Sequence, residues 1–116
     1  MSRAKNNVAA RRRRNKILKA ARGNYGGRSK LYRTAKETVQ RGWAYAYKHR
    51  RLRKRDFRSL WIIRINAGCR LHGLSYSVFM DRLKKADIKL DRKMLADIAA
   101  TDPEGFKALV ESVNPI

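Results

Sequence analysis

Acidic residues are scarce in this sequence: 9 Asp and Glu stand against 30 Lys and Arg, a formal net charge of +21 over 116 residues. Like charges repel as a chain collapses, so a domain of this size holds such an imbalance only when a polyanion supplies the countercharge. Nucleic acid fits that role first and an anionic membrane surface second. Cysteine is scarcer still. The single Cys69 excludes an internal disulfide framework, and its apolar neighbours point to a buried free thiol. Proline occurs twice, at Pro103 and Pro115, and no strand-like alternation is sustained, while helix formers dominate nearly everywhere. The fold class is therefore all-α: a long, extended basic N-terminal helical arm followed by a small C-terminal helical bundle. Long apolar runs are missing too. No stretch approaches the length needed to cross a membrane, and the N-terminus has no apolar secretory core, so the cytoplasm is the default compartment.

The charge that is present is unevenly placed. Residues 1–58 carry 21 Lys and Arg against two acids, Glu37 and Asp56, a net of +19; residues 59–116 carry 9 against 7, a net of +2. The chain thus has two parts, a polycationic arm over 1–58 and a nearly neutral helical domain over 59–116.

Within the arm a first helix is expected from about Val8 to Arg22, with Val8, Ala9, Ile17, Leu18 and Ala21 as its few apolar residues. Gly23-Asn24-Tyr25-Gly26-Gly27 stops it, because three glycines in five residues favour left-handed or irregular backbone. Ser29 is the expected N-cap of the second helix. From Lys30 to His72 there is no proline, and one long helix is expected with Gly73 as its C-cap. Its apolar stripe begins as Leu31, Ala35, Val39, Trp43 and Tyr47, gives way to almost nothing but charge from Lys48 to Arg55, and resumes as Phe57, Trp61, Ile65 and Cys69, with Leu60 and Ile62 beside it. A helix with cations all round buries no face against protein, and its like-charged i,i+4 neighbours repel. Residues 1 to about 55 are accordingly expected to be loosely helical or partly disordered alone and ordered among phosphates. The remainder forms a small bundle. Ser75 caps a helix with Phe79, Met80, Leu83 and Ala86, and Asp91 caps one with Met94, Leu95, Ile98 and Ala99. Thr101-Asp102-Pro103-Glu104 has the form of a capping box before Phe106, Leu109, Val110 and Val113.

Two basic clusters are the candidate sites. The first is Arg11, Arg12, Arg13 and Arg14 with Lys16, Lys19 and Arg22; the second runs from Lys48 through Arg50, Arg51, Arg53, Lys54 and Arg55 to Arg58. A guanidinium bridges two phosphate oxygens and stacks on a base, and each neutralised phosphate releases counterions. Tyr25, Tyr32, Trp43, Tyr45 and Tyr47 interleave with the charge and are able to stack on unpaired RNA bases, although Trp43 and Tyr47 also lie on the apolar stripe. The glycine loop from Gly23 to Ser29 has neither the dinucleotide nor the P-loop spacing, which suits a tight passage against RNA better than nucleotide binding. No catalytic arrangement is present: His49 and His72 are isolated, and one cysteine with scattered acids gives no metal-ligand spacing. Asp81, Asp87, Asp91 and Asp97 suit helix caps and surface charges. No enzyme activity, cofactor, metal or small-molecule substrate is expected.

The segment K-R-D-F-R-S-L-W-I-I-R-I-N-A-G from Lys54 to Gly68, G-L-S-Y-S from Gly73 to Ser77 and L-D-R-K-M-L-A-D-I-A from Leu90 to Ala99 resemble the bacterial large-subunit ribosomal protein family L-twenty. R-R-R-R-N-K-I-L-K-A-A-R-G-N-Y-G-G-R-S-K-L-Y-R at the N-terminus resembles the same family, so the similarity covers nearly the whole chain in order. The resemblance implies a basic arm reaching into large-subunit ribosomal RNA, a small helical domain on the rRNA surface, neighbouring ribosomal proteins as partners and a role early in subunit assembly. In some bacteria it also implies repression of the protein's own mRNA through an rRNA-like site. By the same resemblance Arg3, Lys5, Arg28, Lys30 and Arg33 join the first cluster among rRNA phosphates. The block from Arg50 to Arg58 lines the rRNA where arm meets domain, Arg64, Asn66 and Arg70 follow on the same helix, and Trp61 is core. Trp43 and Cys69 stand where the family usually has smaller residues.

Other classes fit less well. A DNA-compacting protein with a basic helix in a major groove needs a heptad zipper after the basic region, and Leu60 to Leu74 does not supply one. A membrane-surface helix needs a wide apolar face, and residues 48–56 have only Leu52.

Overall fold

The computed structural model describes Arg3 and residues 5–114; Pro115 lies outside them. Among the described residues all regular structure is helical, in the order α1 (Asn7–Ala20), a short 3-10 turn (Gly26–Ser29), α2 (Tyr32–Leu71), α3 (Tyr76–Lys85), α4 (Arg92–Thr101) and α5 (Pro103–Ser112). The chain divides into two compact units, Met1–Arg51 and Leu52–Ile116.

In the first unit α1 stops where the glycines begin. Gly23 and Gly26 take φ of 89° and 58°, the left-handed region that a side chain resists, and the Asn24 amide donates to the Ala21 carbonyl at 2.9 Å. Ser29 does not cap α2. Its hydroxyl donates back to the Gly26 carbonyl, because the 3-10 turn draws it in and the long helix starts three residues later. Among the described residues of this unit only Ala21, Ala35 and Val39 are buried, with Ile17 and Leu18 packed against them. The expected stripe on α2 is thus realised for two residues. Leu31, Trp43 and Tyr47 are exposed, and so is Val8 on α1, because α1 supplies no more apolar surface than Ile17, Leu18 and Ala21 to cover them.

The second unit has a core of its own. Ile65 and Cys69 from α2, Phe79 and Leu83 from α3, Leu95 and Ala96 from α4, and Phe106, Val110 and Val113 from α5 and its end form one buried cluster. Each large side chain there contributes roughly 1.5–3 kcal/mol by leaving water. The Phe79 and Phe106 rings meet at 5.4 Å with a 49° tilt, a geometry that suits the ring quadrupoles. Gly68 lies under Phe106, whose Cε1 would stand 2.9 Å from a Cβ placed there. Trp61 is half-buried and packs on this cluster, while Phe57 and Leu60, earlier on the same helix, stay exposed. Ala86 and Met94, expected on core faces, are exposed, and Ala96 takes the inward position on α4. Burial pushes the Cys69 thiol up to about 11, since the thiolate would have to form without water.

Local caps fix the end of α2 and the starts of the three short helices α3, α4 and α5. Gly73, at φ 72°, turns the chain out of α2, and the Leu74 N–H donates back to the Cys69 carbonyl at 3.0 Å, as in a Schellman motif. The Ser75 hydroxyl accepts from the Val78 N–H and an Asp91 carboxylate oxygen accepts from the Met94 N–H at 2.8 Å. For α5 the cap is Asp102 and not Thr101. The Thr101 hydroxyl donates within α4 to the Asp97 carbonyl, which leaves the Asp102 carboxylate to accept from the Gly105 N–H at 2.9 Å, with Pro103 opening the helix. Among the described residues no helix is long and apolar enough to cross a membrane.

Candidate nucleic-acid interface

The cations of α1 come as four consecutive arginines, and at 3.6 residues per turn four neighbours point to all sides of a helix. Arg11, Arg12, Arg13 and Arg14 are all exposed, as are Lys16, Lys19 and Arg22 after them. Arg3, Lys5, Arg28, Lys30 and Arg33 are exposed too. On α2 the same holds for Lys48, Arg50, Arg51, Arg53, Lys54, Arg55 and Arg58, and for Arg64 and Arg70 beyond them; Asn66 is half-buried.

Among the described residues none of these cations is neutralised from within. The ion pairs there are Lys85 with Asp81 at 2.7 Å, Lys89 with Asp87 at 3.7 Å and Lys107 with Glu111 at 3.8 Å, all on the surface after α2. Met1–Arg51 carries 17 Lys and Arg and one acid, Glu37, a net of +16. With so few internal partners, its potential is left for an external polyanion to satisfy.

The aromatic residues divide. Tyr25 is 95% exposed and has both faces open to a base. Tyr32 is half-buried and carries the Arg14 guanidinium over its ring at 5.2 Å, which joins α1 to α2 and occupies one face. Tyr47 is covered in the same way by Arg51 at 5.0 Å, whose guanidinium also donates to the Tyr47 hydroxyl. Tyr45 stacks on His49 at 5.6 Å, and Trp43 stands exposed beside them. Such a cation–π pair holds an arginine extended at the surface. Lys36 and Arg41 are two further exposed cations on α2. They belong to no run of charge in the sequence, because each is flanked by uncharged residues or by Glu37.

Nothing in this arrangement pairs a nucleophile with a base. Among the described residues no three His, Cys, Asp or Glu side chains gather as metal ligands. What the surface offers is donors and flat faces, which suit phosphates and bases.

Comparison with known proteins agrees with these features. The family model described as Ribosomal protein L20 matches residues 3–109. The chain is similar to the Large ribosomal subunit protein bL20 of Opitutus terrae, 59% identical over 114 residues, which cover 98% of this chain and 90% of the relative. It is 62% identical to the protein of the same name from Trichlorobacter lovleyi over 106 residues, 91% of each chain. With that of Rhodospirillum centenum it shares 60% identity over 114 residues, 98% of this chain and 96% of the relative.

Proposed function

The chain belongs to the ribosomal protein L20 family, and from that premise we propose that it is a structural, non-enzymatic constituent of the large ribosomal subunit that binds large-subunit rRNA through its basic surface. Its place is the ribosome, in the cytoplasm, among rRNA and neighbouring ribosomal proteins. The observation that carries the mechanism is the run of exposed cations from Arg3 to Arg70, none of them neutralised by the ion pairs of the described residues. Positive charge held along helices draws in phosphates from separate RNA segments, and the counterions released drive the association. The repulsion between like charges at i,i+4 disappears once phosphates lie between them, so RNA and arm order each other, and the role falls early in subunit assembly. The arm is Arg11–Arg14 with its neighbours on α1 and the 3-10 turn; Lys48–Arg58 continues it, and Arg64, Asn66 and Arg70 extend it along α2. The same surface serves an rRNA-like site in the protein's own mRNA, where occupancy represses translation.

The test is a competition at ~150 mM salt between a large-subunit rRNA fragment and duplex DNA of equal length for the full chain. The expected result is clear preference for the rRNA, with affinity falling by several powers of ten between low and physiological salt for ~10 phosphate contacts. Equal affinity for the two would make the protein a general polycation and favour the DNA-compacting alternative.

A further inference from the structure

Within the first unit, Arg28 of the 3-10 turn and the early turns of α2 line a shallow, solvent-open hollow of about 530 Å³, with Thr34, Glu37, Thr38, Arg41 and Tyr45 on its surface. Two features of the lining are out of keeping with a surface built only for phosphates. The first is Glu37, the one acid among the 17 Lys and Arg of Met1–Arg51. Arg41 follows it by one turn, yet no ion pair among the described residues engages it. A carboxylate repels the RNA backbone and accepts hydrogen bonds only, so its complement in RNA is a base edge made of donors. The second is Gly42. Glycine is a poor choice inside a helix, and a Cβ at this position would meet no protein atom within 4 Å. The protein's own packing therefore does not require the glycine.

We propose that this hollow takes one unpaired base of the bound RNA and that Glu37 selects guanine. Guanine presents two adjacent donors on its Watson–Crick edge, the N1 imino and the N2 amino group, which match the two oxygens of a carboxylate. The other three bases place an acceptor beside their donor. A base already in a duplex has that edge occupied, so the ligand is a nucleotide from a loop, bulge or single strand. Tyr45, whose ring already stacks with His49 at 5.6 Å, extends that stack to the base, and Arg28 and Arg41 stand on the lining for the flanking phosphates. The inference rests on the RNA-binding function above and adds base selectivity to it.

The experiment uses four RNA nonamers with guanine, cytosine, adenine or uracil at the centre of a uridine background, titrated into the full chain at ~150 mM salt and followed by fluorescence anisotropy. The guanine-centred RNA is expected to bind roughly tenfold more tightly than the other three. Glu37→Gln is expected to bring it to their level, and Gly42→Leu, which favours the helix but fills the hollow, to weaken it likewise. Circular dichroism of both variants checks that the helices persist. Four equal affinities for the unaltered protein, or a guanine preference that survives Glu37→Gln, overturns the proposal while leaving RNA binding in place. Failure of all four RNAs to bind while an rRNA fragment still binds overturns the proposal alone; failure of the rRNA fragment as well overturns the RNA-binding function together with it.

Discussion

Met1–Arg51 and Leu52–Ile116 are both helical, yet they reach that state from opposite starting points. Among its described residues the first buries three small or medium side chains, Ala21, Ala35 and Val39, under a net charge of +16. The second buries nine residues, two of them phenylalanines, and balances 13 Lys and Arg against 8 acids. Burial of that order offsets the conformational entropy of a small domain; three residues with at most one branched side chain do not. Secondary structure alone therefore says little about what holds a segment in place. One unit is stabilised from inside, and the other has little apolar burial of its own to hold it.

Three changes test that contrast, taken from the largest expected effect to the smallest. Phe106→Ala empties the centre of the second unit, where the ring touches Phe79 and Gly68. It should lower the free energy of unfolding by about 3–5 kcal/mol in urea titrations followed by tryptophan fluorescence. A loss below about 1 kcal/mol would mean that the nine-residue cluster is not what stabilises the unit. The reverse change lowers the net charge of the first unit from +16 to +12: Arg11→Gln, Arg12→Gln, Arg13→Gln and Arg14→Gln together. Filter binding to an rRNA fragment should then weaken by roughly 100-fold at physiological salt, about 2.7 kcal/mol, and the slope of log affinity against log salt should fall by about 3. The urea midpoint of the second unit should stay where it is; a parallel drop in stability would erase the distinction between the units.

The third change is one of pH. The Cys69 thiol is raised on folding from its ordinary value of 9.0 to about 11, so the neutral thiol favours the folded chain. That contribution is complete below pH ~9 and is lost as pH climbs toward ~11, because the unfolded chain ionises first. The loss should approach about 2 kcal/mol at the top of that window, and Cys69→Ala should decline less steeply over the same range. Equal slopes for the two proteins would mean that the thiol ionises as easily in the core as in water.

Much of this architecture is legible in the sequence, for reasons that differ by element. The apolar spacing that ends at Ile65 and Cys69, the caps Ser75 and Asp91 and the turn at Gly73 are local patterns with a local physical cause, and each is realised. Thr101 misleads because the neighbouring Asp102 carboxylate takes the same role, and Ser29 because the 3-10 turn draws its hydroxyl back to the Gly26 carbonyl; only the backbone path decides such cases. Trp43 and Tyr47 mislead for a different reason: an apolar stripe states what a helix offers, not whether another element arrives to cover it. The hollow beside Glu37 was beyond sequence reasoning altogether. Its lining joins Arg28 to α2 across the intervening turn, and Arg41 belongs to no charge run that would draw notice.

Asp102 carries one more consequence. It is the last cap of α4 and the first of α5, its N–H donating to the Ile98 carbonyl and its own carbonyl accepting from the Phe106 N–H. With a single residue between two helices, their contact is among neighbours in sequence, and chains dominated by such contacts fold in microseconds to milliseconds. Synthesis proceeds at about 5–20 residues per second, so the arm is complete seconds before α5 has been made. Closure of the C-terminal helices therefore adds almost nothing to the time that synthesis itself takes.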